Sequence, residues 1–185
     1  SPRDLAQVRD SLQRLPDVVR ALQMVADASA AALVAKIDVL DDVHTLLEQA
    51  LVDNPPFTVK DGGVIAQGYD AELDRLAHLS GRGKQAIAEV EAKERAATGI
   101  GNLRIKYARV FGYTIEVTKS HLAKVPSHYR RKQTIAQGER FVTDELSRLE
   151  SDLQTAQAQR VALEEELFER LRRQVETHSH RLLAT

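Results

Sequence analysis

The sequence predicts a mainly α protein, in which a helical bundle and long antiparallel helical arms carry a small antiparallel β module. Three observations predict it. Apolar residues recur at steps of three and four towards both ends of the chain. Between residues 103 and 142 the period falls to two. That same central stretch is basic: residues 101–140 hold nine Lys and Arg against two Glu, a net +7 in a chain of net −1, so the remainder carries −8. A basic block between acidic helical arms suits a surface that meets a polyanion.

The composition agrees. Aromatics make up only 4% of the 185 residues and Trp is absent, so Leu, Ala and Val must do the packing, as in helix bundles and coiled coils. There is no cysteine, which excludes disulfides and thiolate metal sites and makes a reducing cytoplasm the expected compartment. The longest apolar run, Ala30 to Ala35, falls far short of the roughly 20 residues of a membrane span. The opening Ser1-Pro2-Arg3 lacks an initiator Met, which predicts a piece of a longer protein.

Taken in order, Leu5, Val8, Leu12 and Leu15 predict a helix over 4–15 that Pro16 punctuates. A second helix is expected from Asp17 to about Ala28, with Val19, Leu22 and Val25 inward. A third covers roughly 32–51, with Leu40, Val43, Leu46, Leu47 and Leu51 in step, and Asp53-Asn54-Pro55-Pro56 ends it. Short connections predict antiparallel packing of these three. Phe57 to Ala66, with Asp61-Gly62-Gly63 at its centre, reads as a small hairpin or an extended crossing. Asp70 is placed to cap the next helix, which Gly81 and Gly83 interrupt and Thr98-Gly99 stops.

The alternation of Leu103, Ile105 and Tyr107, then of Tyr113, Ile115 and Val117, predicts two strands joined by the turn 108–112. Residues 132–135 and 140–142 predict two more strands around Gly138. From Thr143 to about Leu183 the helical period returns over some 40 residues. Val142, Leu146, Leu149, Leu153 and Ala156 form a seam that Arg160 interrupts and Leu163 and Leu167 resume, and Phe168, Leu171, Val175, His178 and Leu182 continue it one residue out of phase. A helix that long, about 60 Å, needs a partner helix, and residues 70–98 offer one.

No nucleophile–base pair or carboxylate pair can be placed, so no enzymatic activity is expected of this stretch. His178 and His180, two residues apart, fall on different helix faces, and His121 and His128 lack acidic or thiolate company. Gly81-Arg82-Gly83-Lys84 has neither the strand, the full spacing nor the hydroxyl of a phosphate loop, since Gln85 follows the Lys. The basic block is the stronger signal. Arg109 and Gly112 sit in one turn, Gln137 and Gly138 in the other, and small residues there let backbone N–H groups approach phosphate oxygens. Val110 and Phe111 are out of character for a purely solvated turn. No recognition helix, zinc finger or stacking motif is present, so contact should be to backbone rather than to bases.

Asp61-Gly62-Gly63-Val64-Ile65-Ala66, Gly68-Tyr69 and Glu72-Leu73-Asp74 resemble the approach to the clamp arm of the MutS family of bacterial DNA mismatch-repair proteins. Phe111-Gly112-Tyr113-Thr114-Ile115-Glu116-Val117 resembles the strand after its first clamp turn. Tyr129 to Thr134 and Gly138-Glu139-Arg140-Phe141, closing with Glu145-Leu146, resemble its second clamp hairpin and return helix. The resemblance implies core and lever helices with a small hairpin over 1–69, an outgoing clamp arm over 70–100, a β-rich clamp over 101–142 and a returning helix over 143–185. It implies non-sequence-specific contact with the duplex DNA backbone at Ala108, Arg109, Val110, Phe111, Lys132, Gln137, Gly138 and Arg140. It also implies a second MutS subunit as partner, lever helices coupled to an ATPase domain outside this stretch, no membrane partner, and a bacterial, nucleoid-associated location. ATP and Mg belong to the full-length family; no cofactor is expected here. Ala136 stands where many members have a basic residue, and Arg109 adds a charge where several have a small one. The competing reading of the residues is a coiled-coil interaction module whose basic tip docks an acidic protein.

Overall fold

The computed structural model describes residues 1–184. It is mainly helical, with one four-stranded antiparallel sheet. In chain order the elements are α1 (Pro2–Leu12), α2 (Leu15–Gln23), α3 (Ala28–Val34), α4 (Asp41–Ala50), α5 (Ala71–Gly81), α6 (Gly83–Thr98), β1 (Arg104–Ala108), β2 (Gly112–Thr118), β3 (Arg130–Ile135), β4 (Gly138–Val142), α7 (Asp144–Thr177) and α8 (Ser179–Ala184). They divide into two compact units. One comprises Ser1–Asp74 and the stretch from Arg160 onwards, and the other Arg75–Gln159.

In the first unit α1 packs on α4 and α2 on α3. Its core joins Leu12, Leu40, Val43, Leu47, Val64 and Ile65 to Leu167, Phe168, Leu171 and Val175 of α7. The predicted first helix ends three residues early, and Pro16 opens α2 rather than closing α1, because the first turn of a helix needs no N–H there. The predicted helix over 32–51 is two helices. Leu40 turns left-handed (φ 52°) between them, held by its N–H on Asp38 Oδ1 at 3.0 Å and by a side chain with no exposure. Val25, expected inward, is exposed. The predicted hairpin over 57–66 is absent. A short 3-10 turn spans Val59–Asp61, and Ile65 makes a single antiparallel bridge to Leu51.

What takes the place of a partner strand is Glu164. Its buried carboxylate accepts the N–H groups of Gly63, Val64 and Ile65 at 3.0, 2.5 and 3.0 Å. Three amides converging on one carboxylate satisfy a backbone that would otherwise need a strand. At the other edge of this unit the buried Arg9 guanidinium donates to the carbonyls of Val52 and Asp53. The expected 40-residue helix breaks at His178, and Arg181 of α8 is held by Asp38 and Asp42 at 2.7 Å each. Hydrogen bonds from Arg181 hold both carboxyls below the usual aspartate range.

In the second unit α6 runs antiparallel to the first part of α7. Gly83 lies against Leu153, and Lys93 pairs with Glu145 at 2.6 Å. The break between α5 and α6 falls at Arg82, between the two predicted glycines, and a Cβ at Gly83 would lie 3.0 Å from the Leu153 side chain. Gly83 is thus a packing glycine at a helix junction with no strand before it. Asp70 caps α5 through the Leu73 N–H at 2.9 Å, and Gly99 ends α6 in the left-handed conformation (φ 65°). The core of this unit sets Ile87, Val90 and Leu146 from the helix pair against Ile115, Val117, Tyr129 and Phe141.

Candidate nucleic-acid interface

The sheet order is β1-β2-β4-β3, with every neighbouring pair antiparallel. Directly opposed residues in such a pair share a face. Ile105, Ile115 and Phe141 therefore share the face that packs on the helices. Lys106 with Thr114, Arg104 with Glu116, and Glu116 with Arg140 and Gln133 share the opposite one.

The order also fixes where the two turns go. β1 runs towards Arg109-Val110-Phe111, and β2 runs back from Gly112. Thr118, the last residue of β2, pairs with Gly138, the first of β4. The turn Ala136-Gln137 therefore sits at the end of the sheet opposite Val110. The seven residues of β2 separate the two by about 20 Å. The Lys119 N–H donates to the Gln137 carbonyl at 3.0 Å and closes that end.

Each turn is pinned differently. At the Val110 end, the Phe111 N–H donates to the Ala108 carbonyl at 3.0 Å, and Gly112 adopts φ 70°. Glu150 of α7 accepts the Tyr113 N–H on both oxygens, at 3.3 Å each, and lies where a Cβ on Gly112 would go. At the Gln137 end, Gly138 is buried. A Cβ there would lie 2.0 Å from the Val117 carbonyl oxygen. The connection between β2 and β3 is anchored by Tyr129, whose hydroxyl donates to the buried Glu94 at 2.6 Å. Burial, reinforced by that bond, pushes the phenol's pKa up.

The nine cations of the basic block separate into two sets. Five have carboxylate partners. Lys106 and Arg140 share Glu116 at 2.7 Å each, Arg130 pairs with Asp144 at 2.8 Å, and Arg131 and Arg104 approach Glu139 and Glu91 at 3.5 and 3.7 Å. Among the described residues, Arg109, Lys119, Lys124 and Lys132 have no acidic partner, and all four are exposed. Glu116 is only 14% exposed. Burial pushes its carboxyl up, but the hydrogen bonds from Lys106 and Arg140 outweigh that and hold it below the usual glutamate range.

The predicted contact residues are thus not gathered in one place. Arg109, Val110 and Phe111 are exposed at one end, and Gln137 is exposed at the other. Lys132 lies between, at the register shift where β3 slips against β4. Ala108 and Gly138 are buried. Arg140 is committed to Glu116 and to Gln133 Oε1 at 2.8 Å, where it ties β2, β4 and β3 together. The list of eight omits Lys119, which the Thr118–Gly138 pairing sets beside Gln137. The only signal for it was its place in the basic block.

The MutS family domain IV description matches residues 68–159. The DNA mismatch repair protein MutS of Alkaliphilus metalliredigens is 43% identical over 175 residues, 95% of this chain and 20% of its own. Its namesakes in Myxococcus xanthus and Methanothrix thermoacetophila are 44% and 46% identical, over 97% and 94% of this chain and 20% of theirs. The chain belongs to the MutS family. It spans about a fifth of the length of these MutS relatives. The domain IV match covers the whole sheet, both turns, α6 and the first part of α7. In this MutS chain no helix among the described residues is long and apolar enough to cross a membrane. No cluster of three or more His, Asp or Glu is arranged among them to hold a metal. His121 lies 3.1 and 3.2 Å from the hydroxyls of Thr118 and Ser120 instead.

Proposed function

We propose that the sheet of this MutS domain IV holds duplex DNA by its backbone, without reading sequence, as part of a mismatch-repair protein. The observation that carries the reading is the set of four exposed cations without acidic partners, on a segment of net +7 in a chain of net −1. Lys and Arg bind phosphates by displacing condensed counterions. The turns lie about 20 Å apart along β2, a distance that corresponds to about six base-pair steps of B-DNA at 3.4 Å each. A duplex lying along the sheet can therefore touch both turns and the cationic face between them. Nothing on that face has the form of a base-reading element, which supports backbone contact.

On this reading the stretch is a non-catalytic, cofactor-free grip. The long helices that back the sheet couple it to the nucleotide-driven parts of a full-length MutS, and two such grips close on one duplex in a dimer. The test is a fluorescence-anisotropy titration of the chain with a labelled duplex at several salt concentrations. If the four free cations each neutralise one phosphate, log K falls with log salt at a slope of about −3.6. Duplexes of unrelated sequence bind alike. A folded chain that shows no affinity at low salt, or that prefers an acidic protein to DNA, defeats the reading.

A further inference from the structure

The Val110 end of the sheet carries apolar surface beside its exposed cation, Arg109. Val110 is 82% exposed and Phe111 38%, and the neighbouring Tyr107 is 63% exposed, its ring edge-on to Tyr113 at 5.2 Å. Three large apolar side chains thus stand in solvent within five residues. The fold does not require them there, because the turn is closed by backbone, by the φ of Gly112 and by Glu150. Glu150 also sets a carboxylate beside the turn, where it accepts the Tyr113 N–H and lies where a Cβ on Gly112 would go. An apolar, pre-shaped surface beside a free cation gains by leaving water in a way that a phosphate contact alone does not supply.

We infer that Val110 and Phe111 make an apolar contact with the deoxyribose edges of a duplex groove, a salt-independent hold beside the phosphate contacts of Arg109 and the other free cations. The inference rests on the DNA reading above. It commits to duplex DNA because the partner must satisfy the turn and the cationic face at once. A polyanion whose sugars present apolar edges between its phosphates does so.

The experiment separates this inference from the reading it rests on. The wild-type chain, Val110→Ser/Phe111→Ser and Arg109→Ala are titrated with a labelled duplex from about 50 to 200 mM salt, a range over which phosphate contacts weaken strongly. The same proteins are titrated with inorganic polyphosphate, which has charge but no sugar. The double variant should bind duplex about tenfold more weakly at every salt concentration, with its salt slope unchanged, and should bind polyphosphate as the wild type does. Arg109→Ala should instead flatten the slope by about 0.9. Wild-type affinity for duplex in the double variant overturns the apolar contact and leaves the DNA reading standing. So does an equal loss on duplex and polyphosphate. No duplex binding by the wild type overturns both. Val110→Ser alone, at a position 82% exposed, keeps the test available if the double variant misfolds, with about a threefold loss on duplex expected and none on polyphosphate.

Discussion

The two ends of the four-stranded sheet are built from the same device, a short turn beside a glycine, and come out chemically opposite. At the Gln137 end Gly138 lies tight against the backbone of β2, and Lys119 is drawn in by the Gln137 carbonyl with no acid to match it. At the Val110 end Gly112 lies against a side chain, Glu150, and the turn shows Val110 and Phe111 to solvent. The difference teaches that a net charge of +7 over 40 residues is not a uniform coating. Pairing cancels much of it, and what survives is placed by strand register.

The largest way to break the comparison is to remove its geometry. Gly138→Ala puts a Cβ 2.0 Å from a carbonyl oxygen and 2.9 Å from the Thr118 Cα, both backbone, so the strands must part. A loss of about 3 kcal/mol is expected, read as a shift in the denaturant midpoint by circular dichroism. Gly112→Ala meets only the movable Glu150 side chain, though at φ 70°, and should cost about 1–2 kcal/mol. Equal losses at the two ends would contradict the asymmetry.

Next comes charge. Lys119→Glu reverses a cation at the Gln137 end without touching a packed contact. Duplex affinity should fall about tenfold at low salt, and the salt slope should flatten by about 0.9 as one phosphate contact is lost. An unchanged slope would remove Lys119 from the interface.

Much of this was legible in the sequence, and the limits have physical causes. Alternation of Ile115 and Val117 with Glu116 gave β2, and Gly81 and Gly83 marked the break at Arg82. Leu146 in one unit and Leu167, Leu171 and Val175 in the other are buried as their helical spacing predicts, because helical periodicity is a local property. Strand order is not local. Thr118 meets Gly138 across twenty residues, and without that pairing the two turns cannot be assigned to opposite ends. The break at Leu40 was hidden because Leu40, Val43 and Leu47 keep helical spacing through it. Only the Asp38 side chain on the Leu40 N–H betrays it. Glu164, first of Glu164-Glu165-Glu166, has no local pattern that distinguishes it from its neighbours, because the three backbone N–H groups it accepts lie about a hundred residues away.

Between the two ends, Glu116 joins stability to charge. Its carboxyl lies below the usual glutamate range in the folded chain. The stability it adds is therefore complete above the ordinary glutamate pKa and is lost as the pH falls through the lower, folded value. Glu116→Gln should lose about 1–2 kcal/mol near neutral pH, from its hydrogen bonds to Lys106 and Arg140. The gap between variant and wild type should close in acid. At the same time Lys106 and Arg140 are freed of their counter-charge, so duplex binding at low salt should strengthen while the fold weakens. Opposite signs in the two measurements would mark Glu116 as a brace that limits the field of the cationic face.

The smallest effect is expected from Glu150→Gln, and it tests the Val110 end most finely. The amide oxygen can still accept the Tyr113 N–H, so the turn should hold and the melting temperature should change little. What goes is the negative charge behind the turn. If that charge merely repels the duplex through solvent, its removal raises affinity about twofold at low salt, and the gain fades once the Debye length falls to about 8 Å near physiological salt. The loss caused by Val110→Ser/Phe111→Ser should be the same in this background as in the wild type, because an apolar contact is indifferent to the field around it. If removing Glu150 instead makes the double substitution harmless, the turn had been held in its exposed form only by that carboxylate, and the two ends of the sheet would differ in rigidity rather than in chemistry.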